Sequence, residues 1–215
     1  MWAPYDPISY FLHVGFGFLA IAGAVTALSV RKGSPLHKKS GWTFVVPMVV
    51  AALTALVFEV EFDESRPLVV MMSTATLYLL ATSILAVRNR WRFAPVTEKI
   101  LVVIPLVLFV LSVAFLIRSI QAASLVQIPG PILYASVFLA LVIGDIRLMR
   151  FRSTERLYWV KRHLFRMLLA VAFAVRALFA IGIETGLPFE FVVTAPLVLA
   201  LAGTWYFFRI QEKAS

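Results

Sequence analysis

The stretch Ile100-Leu-Val-Val-Ile-Pro-Leu-Val-Leu-Phe-Val-Leu-Ser-Val-Ala-Phe-Leu-Ile-Arg-Ser-Ile120 carries a single charge, Arg118, in a run long enough to cross a lipid bilayer as a helix. A spanning helix needs about 20 mostly apolar residues, and backbone groups in hydrocarbon must bond within their own segment. Six further stretches read the same way, giving seven expected spans at residues 8–30, 42–62, 67–87, 100–120, 131–148, 159–183 and 189–208. Of the 215 residues, 61% are hydrophobic and 14% charged, more apolar surface than a soluble domain of this length can bury. The expected fold is therefore all-α: one polytopic transmembrane helical bundle occupying residues 1–215. The first stretch has no basic segment or small-residue cleavage site before it, so it reads as a retained span.

Charge orients the bundle. Arg31, Lys32, Lys38 and Lys39 fall in the first connection, and Arg88, Arg90, Arg92 and Lys99 in the third. Arg147, Arg150, Arg152, Arg156, Lys161 and Arg162 fall in or beside the fifth, and Arg209 and Lys213 in the tail. Most of the 20 basic residues thus lie on one side. Most of the 11 acids lie on the other, as Asp6, Glu59, Glu61, Asp63, Glu64, Glu184 and Glu190. The positive-inside rule then expects an outside N-terminus, a cytoplasmic C-terminus and an odd number of spans. The net charge of +9 reads as a topology signal with attraction to anionic lipid headgroups. A nucleic-acid partner is not expected, because the short connections offer no soluble basic face.

Ionisable residues inside spans are expensive and mark functional sites by default. Depth along each span sorts them into two groups. An outer cluster of ligand-binding candidates comprises His13, Glu59, Arg118 and Arg176. An inner cluster comprises His37 (from the first inner loop), Asp145, His163 and Arg166. Side chains lean toward a helix's N-terminus, so His13, His163 and Arg166, near span starts, are expected to reach water. Glu59, Arg118, Asp145 and Arg176 are expected to lean inward. Carboxylates at helix C-termini need cationic partners or a proton, which pairs Asp145 with Arg166 and Glu59 with Arg118 or Arg176. On the sixth span Arg162, Arg166, Phe173, Arg176, Ala180 and Glu184 share one sector, expected to face the interior. His13, Gly17, Ala20, Ala24 and Ala27 form a smooth strip on the first span. The hydroxyls of Ser73, Thr74, Thr76, Thr82 and Ser83 read as helix glue.

Several chemistries lose their footing here. The chain has no cysteine, which removes thiolate metal sites, disulfides and cysteine nucleophiles. No H-x-x-x-H or H-E-x-x-H occurs, so no metal site is expected apart from haem, and the last span lacks the lysine that a retinal protein would need. A b-type haem would have to use His37 and His163, the only histidines expected at one depth.

His13, then His37-Lys38-Lys39-Ser40-Gly41, then Asp145 before a basic connection, then Arg162-His163-Leu164-Phe165-Arg166-Met167 form a series. In these motifs the chain resembles a family of uncharacterised bacterial multi-pass, seven-span membrane proteins of unknown function. The resemblance implies a helical bundle in the bacterial inner membrane, with His13, His37, Asp145, His163 and Arg166 on motif positions. It implies no reaction, so whether the chain is an enzyme stays open. Three readings follow: a buried polar pocket that binds or passes a small ligand, proton or quinone-like molecule; a b-type haem redox protein; or an assembly subunit whose buried charges are only ion pairs.

Overall fold

In the computed structural model the described residues are 7–61, 67–88, 94–122, 128–150, 156–179 and 188–213, and they are helical almost throughout. The helices are α1 (Pro7–Ser29), α2 (Pro35–Glu61), α3 (Pro67–Val87), α4 (Ala94–Leu101), α5 (Val103–Gln121), α6 (Pro129–Arg150), α7 (Arg156–Ala177) and α8 (Phe189–Lys213). Among the described residues six stretches are long and apolar enough to cross a membrane: those of α1, α2, α3, α6 and α8, and the run Lys99–Gln121 that joins the end of α4 to α5. They mark a multi-pass membrane protein. The one expected span left over, the sixth along the chain, is α7; it has the length, but its arginines keep it out of this apolar set.

Its position explains how a helix of that composition can exist. α7 packs along α3 and α8 and also touches α1. Its buried residues include Arg162, Arg166, Leu169, Phe173 and Arg176, so the charged sector faces protein as expected. Lipid-facing character falls to other helices, where Phe11 and Leu199 are 71% exposed and Ile100 67%. A ring layer of Tyr134, Phe138 and Phe173, with centroids 6.2–6.4 Å apart, fills the space between α6 and α7.

Local chemistry sets the helix ends, and some differ from expectation. α2 begins at Pro35, not near Trp42, because Ser34 caps it: the His37 N–H donates to Ser34 Oγ at 3.1 Å, with proline at the first helical position. His37 therefore sits in the first turn of α2 rather than in a loop, and Pro47 lies deep inside the helix. Before it, Gly33 takes φ +80° in a turn closed from Ser34 N to Arg31 O, a conformation open to glycine. Lys32 closes α1 by donating to the Ala27 and Leu28 carbonyls at 3.0 and 2.6 Å; partial burial lowers its pKa. Pro105 has no N–H to bond to the Leu101 carbonyl, and its ring crowds that carbonyl. The helix is accordingly interrupted between α4 and α5.

Among the described helices, α1 and α2 share the most extensive contact. Ala20 and Ala24 are buried as the strip predicts, but Gly23, which that strip omits, lies directly against the backbone of α2. A β-carbon there would lie 2.6 Å from Phe44 N, 2.7 Å from Thr43 C and 3.0 Å from Ser40 O. All three are backbone atoms, so no rotamer change relieves the clash. Gly23→Ala should cost about 1–3 kcal/mol, the usual range for overpacking, and lower the thermal midpoint. Gly17→Ala, where nothing lies within 4 Å, should not. Equal midpoints for the two variants would refute the packing argument.

Candidate functional site

The inner charged residues converge on Asp145. It lies near the end of α6, beside the first turns of α7, and is 4% exposed. Arg162 Nη2 donates to Asp145 Oδ1 at 2.8 Å, Arg166 Nη2 donates to the same oxygen, and the Tyr78 hydroxyl donates to Oδ2. Arg166 Nη2 also reaches Tyr78 Oη at 3.3 Å, with its guanidinium 5.5 Å from the ring centroid.

The expected Asp145–Arg166 pair is thus present, with two additions. Arg162 joins it, one turn earlier on the same face of α7. Tyr78 joins it from α3 and was missed, although its depth was countable: it lies as far from the basic end of α3 as Arg166 lies from the start of α7. Arg166 does not snorkel. It is 2% exposed, because Asp145 and Tyr78 draw the head inward, and its Nη1 finds no hydrogen-bond partner among the described residues.

A pocket adjoins this buried cluster. Its volume is about 380 Å³. Arg162 and Arg166 form its back wall, Lys161 and Tyr158 stand on α7 nearer the helix start, Ala140, Leu141 and Gly144 come from α6, and Thr204 and Phe208 from α8. The Lys161 ammonium lies 5.3 Å from the Phe208 ring centroid. Such a pocket can accept an anion against the arginines and an apolar body beside them.

The histidines are spent on helix contacts at Nδ1. His163 meets Ser83 Oγ at 2.8 Å and the Ser83 carbonyl at 3.1 Å, joining α7 to α3. His37 meets the Ala27 carbonyl at 3.0 Å. His13 meets the Ala51 carbonyl at 2.9 Å and Thr54 Oγ1 at 3.1 Å, tying α1 to α2. None of them lines the pocket, and no cluster of three or more potential metal ligands occurs among the described residues. The glue reading of the hydroxyls holds for Thr76 and Thr82, which bond back to Met72 and Tyr78, and for Ser83.

The outer cluster is not assembled in the same way. Arg118, expected to lean inward, is exposed on α5; it sits in the last turn, where the helix end favours a cation. The Glu59 side chain, and Ala180 and Glu184, lie outside the described residues. Arg176 is 5% exposed, and its Nε has no hydrogen-bond partner among the described residues.

No family model, curated protein or solved structure matches the chain.

Proposed function

We propose that this chain is a seven-span inner-membrane protein that binds an anionic ligand in the pocket beside Asp145, Arg162 and Arg166. α7 is the seventh span: at 1.5 Å per residue its 22 residues reach about 33 Å, enough for a hydrocarbon core of about 30 Å. With seven spans the basic connections share the cytoplasmic side and the N-terminus is outside. Aromatic–cation pairs at that end fit a membrane–water interface there, with Arg88 5.3 Å from the Trp42 ring and Arg209 5.6 Å from the Trp205 ring. A cysteine at Ser34 should resist an outside-only thiol reagent in intact cells; labelling there would reverse the orientation.

One observation carries the ligand reading: a pocket of about 380 Å³ lies against the buried arginines of the Asp145 cluster, with Lys161 also in its wall. Tyr78 and Asp145 fix the two guanidiniums in place before any ligand arrives. Added anions (sulfate, inorganic phosphate or oleate) should raise the thermal midpoint of the purified protein, and Arg162→Gln should remove that response. If no anion shifts the midpoint, the reading fails.

A further inference from the structure

Arg176 stands apart from the Asp145 cluster, near the other end of α7. It is 5% exposed, and its Nε finds no hydrogen-bond partner among the described residues. It lies about 15 Å further along α7 than Arg166 and within about 80° of it around the helix axis. Between the two on that sector is Phe173, which meets Tyr134 and Phe138 of α6, while Arg166 itself reaches Tyr78 of α3. The sector therefore faces α3 and α6. Side chains lean toward a helix's N-terminus, which carries the Arg176 head back into the bundle and away from water.

Both facing helices begin at this end. Ser83 meets His163 and Tyr78 meets Arg166, so α3 runs antiparallel to α7. Asp145 meets Arg162 and Tyr134 meets Phe173, so α6 does the same. Counting on from these pairs brings Arg176 level with Leu68 and Pro131, in the first turns of α3 and α6. Each helix start carries about half a positive charge, and the two flank a guanidinium that is positive already. The end of α7 offsets about one of them. Among the described side chains no carboxylate lies at this level, and the surroundings are apolar, with Met71 and Phe173 3% and 2% exposed.

We propose that Arg176 and the starts of α3 and α6 hold a small monovalent anion of the halide or nitrate class. Helix starts favour anions through their dipoles and their unbonded N–H groups, and the buried guanidinium supplies the full charge. Low charge on the ligand follows from the surroundings. The cost of dehydrating an ion rises with the square of its charge, so sulfate or phosphate would lose far more on entering an apolar wall than a halide does. A single negative charge also neutralises the single guanidinium. The site is separate from the pocket beside Asp145 and does not depend on the ligand proposed there.

The test is thermal unfolding of the purified protein in an uncharged detergent, with sodium bromide, sodium sulfate or sodium gluconate at one ionic strength. Bromide should raise the midpoint above that in gluconate by roughly 3–6 °C at about ten times its dissociation constant. Arg176→Gln should melt no lower than the parent in gluconate and should lose the bromide shift. Arg176→Lys keeps the charge and should retain part of that shift. Arg162→Gln should leave the bromide shift intact, and any sulfate shift should survive in Arg176→Gln. If the bromide shift is instead lost in Arg162→Gln and kept in Arg176→Gln, the halide binds beside Asp145: the Arg176 site is wrong and the reading of that pocket stands. A sulfate shift that Arg176→Gln abolishes would overturn the preference for low charge. No bromide shift in the parent would overturn the inference, whatever sulfate does through Arg162.

Discussion

Replacing Asp145 with asparagine is expected to produce the largest loss of stability of any single substitution in the bundle. The carboxylate accepts from Arg162, Arg166 and Tyr78, and all four side chains are buried. Asparagine keeps the shape but removes the negative charge that both guanidiniums share. Breaking a buried ion pair from one side costs about 3–5 kcal/mol, a large part of the 5–15 kcal/mol that holds a typical domain together. Asp145→Asn should therefore accumulate poorly in the membrane and unfold many degrees below the parent. Arg166→Gln should also destabilise, and the double variant should recover part of the loss, because residues in one network couple. Tyr78→Phe removes one donor while leaving the charges as they are, and should cost only about 0.5–1.5 kcal/mol. An Asp145→Asn midpoint within about 2 °C of the parent would show that the cluster does not hold the helices together.

What could be read ahead of the structure follows from how a lipid solvent filters sequence. Apolar runs announce helices, since hydrocarbon leaves the backbone few alternatives. Asp145 and Arg166 stood out because charge is rare in such runs. Facing direction was less legible. α5 is apolar nearly all round, so nothing in residues 103–121 says which side turns inward, and depth alone sent Arg118 to the wrong place. α7 was the exception, because its arginines recur on one sector. Tyr78 was hidden for the opposite reason: a phenol passes as an apolar residue until a carboxylate is found at its depth. Gly23 was obscured by its neighbours, as a strip of small residues shows that two helices can approach without showing where they do. The start of α2 was legible in Ser34-Pro35 by capping logic, but hydropathy set the boundary at Trp42 because His37, Lys38 and Lys39 read as a loop.

Arg176→Met is expected to stabilise the protein, which is unusual for the loss of a buried side chain. Arg176 is as buried as the arginines around Asp145, yet among the described residues no carboxylate reaches it and its Nε is unbonded. What favours the charge is its place in the last turn of α7, worth up to about 2 kcal/mol in partly buried geometry. Against that stands an effective desolvation penalty of several kcal/mol for a buried ion, and Phe173, one turn earlier on the same face, supplies only an apolar neighbour. The penalty is the larger quantity. Methionine is flexible enough to refill the arginine's volume, so Arg176→Met should raise stability by about 1–3 kcal/mol and the thermal midpoint with it. Arg118→Met, at an exposed site, should stay within about 0.5 kcal/mol. If Arg176→Met instead lowers the midpoint, the arginine has a counter-charge after all, and Glu59→Gln or Glu184→Gln should then lower it by a similar amount. If the midpoint rises, Arg176 is a cation kept in the membrane interior at a cost to the fold, and the reason for keeping it has to be functional.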